Sequence, residues 1–109
     1  MKRGEIWTAS GAADYAGKPR PWLVFQSDRM EIEASVILMG FTTDITESAT
    51  IRPLVTPTPE NGLRAVSRLM VDKIGAIPRN KLGKPMGRLT DEQLEEAEMA
   101  LLLVLGFAG

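Results

Sequence analysis

The chain has 109 residues, of which 44% are hydrophobic and 25% charged, so a single domain spanning residues 1–109 with one core is expected. It contains no cysteine and no histidine, which excludes disulfide staples, thiolate or imidazole metal sites, cysteine nucleophiles and the commonest acid–base group near neutral pH. The formal charge of -1 hides a division. Residues 1–89 carry all 13 Lys and Arg against nine acids, net +4, while the last twenty residues carry five acids and no base. A basic body suits a polyanionic partner. The longest apolar run, Met99 to Leu105, is far shorter than the roughly 18 residues of a membrane span, and Met1 to Glu5 leads into a strand pattern. The expected location is therefore the cytoplasm, with no membrane association.

Gly4 to Ala9 alternates polar and apolar residues and predicts a half-buried strand. Ser10 to Lys18, rich in small residues around Tyr15, predicts a loop. Lys18-Pro19-Arg20-Pro21 then runs into the buried strand Trp22 to Gln26. The two prolines fix φ on both sides of Arg20 and bias the backbone toward extended geometry, which presets the exit of its guanidinium. Ser27-Asp28 signals a turn, Arg29 to Ala34 a helical turn, and Val36 to Phe41 a central strand emptying into Thr42-Thr43-Asp44. Ile51 to Val55 predicts a short edge strand broken by Pro53, and Thr56 to Gly62 a loop. Ser67 to Ile77 predicts a strand with Asp72 and Lys73 in its middle. Arg79 to Arg88, with Gly83, Pro85 and Gly87, predicts a loop with a short strand near Leu82.

The C-terminal segment is the clearest helix. Thr90 and Gln93 form a capping box, Asp91, Glu92, Glu95 and Glu96 favour the positive end of the dipole, and Leu94, Ala97, Leu101, Val104 and Leu105 share a face ending at Gly106. The fold class is α+β, mainly β: five or six short, largely antiparallel strands closed by one helix.

On residue chemistry alone, Arg20 is either a surface arginine shaped by its prolines or a preset phosphate contact, and the former is the commoner case. Thr42-Thr43-Asp44 is either a strand-end cap, the commoner case, or a set of hydroxyls for such a contact, and Asp72 reads as a solvent-facing acid whose pKa would rise on partial burial. Trp7 and Trp22 read as core. Lys73, Arg79, Lys81, Lys84 and Arg88 form either a solvated face or a phosphate-tracking patch.

Lys2-Arg3-Gly4-Glu5-Ile6-Trp7, followed by Arg20-Pro21-Trp22-Leu23-Val24-Phe25-Gln26-Ser27-Asp28, resembles the opening of the MazF/PemK toxins of toxin–antitoxin modules. The likeness continues through Val36 to Thr43, Leu69 to Ile77 and the acidic helix. It implies an SH3-like barrel, a homodimer, and a metal-independent endoribonuclease without cofactors that cuts single-stranded RNA by attack of the 2′-hydroxyl on phosphorus. It also implies a cognate antitoxin whose acidic C-terminal segment crosses the basic groove. By motif, Arg20 is the phosphate-stabilising cation, Thr42 orients the scissile phosphate, Thr43 assists, and Asp72 is the general base. Lys18, Tyr15 and Lys73 are implied substrate contacts. Where family members place a second arginine this chain has Met70, so either Arg20 takes on more of the proton transfer or Lys73 or Arg68 reaches in. Val24 to Asp28 and Leu105-Gly106-Phe107-Ala108-Gly109 also echo the CcdB-like toxins of the same superfamily, which poison DNA gyrase. That alternative places the critical residues on the helix and tail.

Overall fold

In a computed structural model, which describes residues 1–10, 18–30, 34–46 and 51–109, the chain forms a curled antiparallel sheet packed against one C-terminal helix. Strand β1 (Glu5–Ala9) lies between β2 (Arg20–Val24) and the late strand β7 (Leu82–Arg88). Beyond β2 comes β3 (Ser35–Thr42). The far edge of β3 is shared by two short strands: β6 (Gly75–Pro78) pairs with residues Ser35–Leu38, and β5 (Ser67–Leu69) with Phe41 and Thr42. Strand β4 (Leu54–Val55) completes the order outside β5.

Both faces of the sheet are covered, which is why Trp22-Leu23-Val24 reads as an unbroken apolar run and not as an alternation. Ile6, Leu23, Met39, Phe41 and Leu69 pack with Ala97 and Ala100 of helix α1 (Asp91–Val104). Trp22, Val24, Val36 and Leu38 form a second cluster with Ala9, backed by Trp7, Ile77 and Leu82. Each fully buried aliphatic side chain here contributes about 1.5–3 kcal/mol relative to exposure.

The capping box of α1 is complete. Thr90 Oγ1 accepts the Gln93 N–H at 3.1 Å, and Gln93 Oε1 accepts the Thr90 N–H at 3.0 Å. The helix ends in a Schellman motif around Gly106 (φ +81°), with Phe107 N–H donating to Leu102 O at 2.8 Å and Gly106 N–H to Leu103 O at 3.2 Å. Leu94, Leu101 and Val104 pack on the core as the periodicity predicts, but Leu105 is the C-cap residue and 54% exposed. Arg3 ties the N-terminus to the helix. Its guanidinium meets Glu98 at 2.6 Å and stacks 4.5 Å over the Phe25 ring.

Three expectations are corrected. The strand expected over Ser67 to Ile77 is cut by a 3-10 turn at Val71–Lys73. Met70 and Val71 are buried in succession and Asp72 and Lys73 exposed in succession, a pattern that period-two alternation cannot satisfy. The turn resolves it through Lys73 N–H to Met70 O at 3.0 Å. Second, Leu82 to Arg88 is a full strand rather than a loop. Its glycines mark close approaches: a Cβ on Gly83 would stand 2.3 Å from Thr8 Oγ1, and one on Gly87 2.2 Å from Glu60 O. Pro85 falls opposite Trp7, where the register with β1 shifts. Third, the edge strand around Pro53 shrinks to Leu54–Val55. The turn expected over Arg29 to Ala34 falls partly outside the described residues.

Candidate active site

The register of β2 on β3, with Trp22 opposite Gly40 and Leu23 opposite Met39, brings Arg20 level with Thr42 when continued two residues. On the far side Thr42 pairs with Arg68 of β5. Three strands thus deliver Arg20, Thr42 and Arg68 to one row at the sheet's end. Arg20 is exposed at the first position of β2, between Pro19 and Pro21. It lines two adjoining cavities. The smaller, about 210 Å³, has Thr42, Thr43 and Ser67 as its polar wall. The larger, about 490 Å³, shares Arg20, Pro21, Thr43 and Ser67 with it and extends over Leu63, Arg64 and Met86.

The Thr42 hydroxyl oxygen accepts the Asp44 N–H at 3.2 Å, which fixes its rotamer and leaves its proton to donate elsewhere. Asp44 is fixed in turn by Thr46, whose hydroxyl and backbone N–H donate to Oδ1 at 2.6 and 3.1 Å. The Thr46 hydroxyl is also the main reason the Asp44 carboxyl titrates below its ordinary range. Ser67 is almost fully buried and donates to Ala65 O at 2.9 Å.

A cationic fork beside two strand-end hydroxyls is a receptor for a tetrahedral oxyanion. The larger cavity adds an apolar extension over Leu63 and Met86 beside Arg20.

The sequence-derived candidates divide. Arg20, Thr42 and Thr43 come together. Lys18 is exposed one residue before Pro19, and Lys73 is exposed on the 3-10 turn; neither lines the two cavities. Tyr15 lies outside the described residues. Asp72 does not stand with Arg20 either. The Arg52 guanidinium grips both of its carboxylate oxygens, Nε to Oδ1 at 2.8 Å and Nη2 to Oδ2 at 3.0 Å, and this hydrogen bonding holds the Asp72 carboxyl below its ordinary range. The rise in pKa expected from partial burial is reversed by that ion pair, which favours the charged form. No carboxylate stands among the described residues lining either cavity. Met70 is buried at 5% exposure, with its Cε 3.0 Å from the position of a Cβ on Gly40, so it serves the core.

Sequence reasoning missed Ser67, Arg64 and Met86 as wall residues. Ser67 and Met86 reach the site only through strand pairing, and no local motif signals that.

The family model described as PemK-like, MazF-like toxin of type II toxin-antitoxin system matches residues 2–105. The chain belongs to this family. A relative from Mycolicibacterium smegmatis, named probable endoribonuclease MazF, is 44% identical over 109 residues, covering 100% of both chains. Among solved structures, the Mycobacterium tuberculosis toxin MazF-mt6 superposes with a TM-score of 0.76 at 25% identity, over 94% of this chain and 96% of that one. An endoribonuclease in complex with its cognate antitoxin, from a mycobacterial species, gives a TM-score of 0.77 at 23% identity, over 100% and 98% of the two chains. The chain is thus a MazF-like toxin of a toxin–antitoxin system. The gyrase-poison alternative is not favoured, because the MazF-like match runs almost end to end whereas the CcdB echo rests on two short segments.

Proposed function

We propose that this MazF-like toxin cleaves single-stranded RNA without a metal ion, in the cytoplasm, at the row formed by Arg20 and Thr42. The observation that carries the reading is the shared cavity lined by Arg20, Thr42, Thr43 and Ser67. The scissile phosphate sits in the smaller cavity. Arg20 pairs with its non-bridging oxygens and strengthens that contact as charge builds in the phosphorane, while Thr42 donates its fixed hydroxyl proton. The flanking base occupies the larger cavity, its faces against Leu63 and Met86 and its edge within reach of the exposed Arg64. The ribose 2′-oxygen, giving its proton to water, attacks phosphorus; the bond to the 5′-oxygen breaks, that oxygen takes a proton from water, and a 2′,3′-cyclic phosphate remains.

Two copies pair, and an antitoxin with an acidic C-terminal segment covers the Arg20 row. Support for pairing comes from Met99, Leu102 and Leu103, each at least 39% exposed on α1. The antitoxin is supported by the basic body and by the mycobacterial structural relative, which was solved in complex with its own cognate antitoxin.

The test is cleavage of total RNA in EDTA, with end-group analysis. Wild type should cut and leave cyclic phosphate, Arg20→Ala should lose about 10²–10³-fold in rate, and Thr42→Ser should retain more activity than Thr42→Val. Intact RNA in EDTA, or an Arg20→Ala enzyme as fast as wild type, refutes the reading.

A further inference from the structure

At the end of the row shared with Arg20 and Thr42, Arg68 begins a set of charged groups with no part in the chemistry above. Arg68 Nε donates to Ile45 O at 2.9 Å, and its Nη1 donates to Arg52 O, also at 2.9 Å. One guanidinium therefore fastens two backbone points that are seven residues apart in sequence. Arg52 is itself anchored, because its side chain forms the two-pronged pair with Asp72 on the 3-10 turn. The Arg52 side chain is 12% exposed and the Asp72 side chain 27%. The backbone of Arg68 pairs with Thr42, so the residue holds this strand end twice, through the ladder and through Ile45 just beyond it.

We propose that Arg68, braced by the Arg52–Asp72 pair, is a positioning residue that sets Thr42 and Thr43 against Arg20, and that Asp72 acts through this chain of contacts instead of removing a proton. The inference rests on the ribonuclease reading for its kinetic consequences, though not for its structural ones.

Three features separate this role from a diffuse electrostatic one. Both hydrogen bonds of Arg68 go to neutral carbonyls, so its charge is not consumed by an acid; what the site uses is the fork, two donors at a fixed spacing. A lysine ammonium is a point charge without that planar fork and does not reproduce the spacing. Both Asp72 oxygens are engaged by Arg52, which leaves neither poised toward a substrate hydroxyl. The turn that carries Asp72 also interrupts the edge alongside β3 between the stretch paired with β6 and the stretch paired with β5, so it is placed to fix where the Arg20 row ends. The chain Asp72, Arg52, Arg68, Ile45 takes the place that a second arginine at position 70 would leave empty, by holding the hydroxyls and not by touching phosphate.

The experiment compares Arg68→Ala, Arg68→Lys and Asp72→Asn with wild type in three readouts: kcat and KM on a single-stranded RNA oligonucleotide containing a mapped cleavage site, the pH–rate profile in EDTA, and the backbone amide spectrum of Thr42, Thr43 and Asp44 in RNA-free protein. Misplacement on the order of 1 Å predicts that Arg68→Ala loses about 10²-fold in kcat with KM changed less than roughly threefold. Arg68→Lys should not rescue it, Asp72→Asn should fall less and keep the acidic limb of the wild-type profile, and all three should shift the Thr42–Asp44 amides. Recovery by Arg68→Lys, loss of the acidic limb in Asp72→Asn, or unmoved amides overturns the proposal. Should Arg68→Ala fail to fold, the lysine and asparagine variants decide. If wild type does not cut RNA the ribonuclease reading falls by itself, and the amide shifts still decide the positioning role.

Discussion

Replacing Asn61 with alanine should be among the most damaging single changes outside the aliphatic core. Asn61 is 1% exposed, and its side chain makes three hydrogen bonds: Oδ1 accepts the N–H of Thr58 at 3.0 Å and of Leu63 at 2.9 Å, while Nδ2 donates to Thr56 O at 3.0 Å. Each is worth about 1 kcal/mol net, and the Leu63 N–H, buried and stripped of its acceptor, adds a desolvation cost of about 1–3 kcal/mol. The expected loss is about 4–6 kcal/mol, a large part of the 5–15 kcal/mol typical of a small domain. Urea denaturation at pH 7 measures it directly, and the melting temperature should fall by roughly 16 °C or more. Asn61→Asp sharpens the case, because an acceptor would then face Thr56 O and a charge would be buried without a partner. Loss below about 1 kcal/mol in Asn61→Ala, or a wild-type midpoint in Asn61→Asp, would refute the accounting. The segment that Asn61 holds leads into Leu63 and Arg64, so the same variant should also weaken RNA binding.

The Arg52–Asp72 pair predicts an acid-dependent stability term. Arg52 lowers the folded-state pKa of Asp72 below its ordinary 3.8, so the stabilisation is fully present above that value and disappears as pH falls through the folded-state pKa. The stability gap between wild type and Asp72→Asn, about 1 kcal/mol near neutrality, should therefore close in urea titrations run below pH 3.8; a gap that persists or grows there contradicts the assignment. Gly87→Ala should cost about 1–3 kcal/mol or more by the same assay, since its Cβ would meet Glu60 O at 2.2 Å and Asn61 C at 2.6 Å, both backbone atoms with little freedom to give way; a neutral Gly87→Ala would show that this contact relaxes cheaply.

Much of the fold was legible because its strongest signals are local. Thr90 with Gln93, the apolar run from Val36 to Phe41, and the prolines around Arg20 each act through neighbours in sequence, and each appears where the pattern predicts. What escaped depends on partners far along the chain. Gly83, Pro85 and Gly87 look like loop residues until Thr8 and Glu60 are seen to need that space. Asp72 looks like a solvent-facing acid in a strand until Arg52, twenty residues earlier, closes on it. Asn61 looks like one more turn residue, although a buried amide with both its oxygen and its nitrogen hydrogen-bonded is a structural hub. For the site, the family motif located Arg20, Thr42 and Thr43, whereas Ser67 and Met86 are brought there by pairing.

The pairing of β1 with β7 joins residues about eighty positions apart, with Thr8 Oγ1 accepting the Lys84 N–H at 2.8 Å and Met86 closing a wall of the larger cavity. Contacts of such long range form late, after most of the chain has been ordered. During synthesis the order is stricter: Arg20 and Thr42 emerge early, but the space between them and Met86 has no far wall until β7 has emerged and reached back to β1. A growing or truncated chain that ends before Leu82 carries Arg20 and Thr42 without the far wall of the cavity beside them, so the proposed chamber is completed in one step, close to completion of the polypeptide.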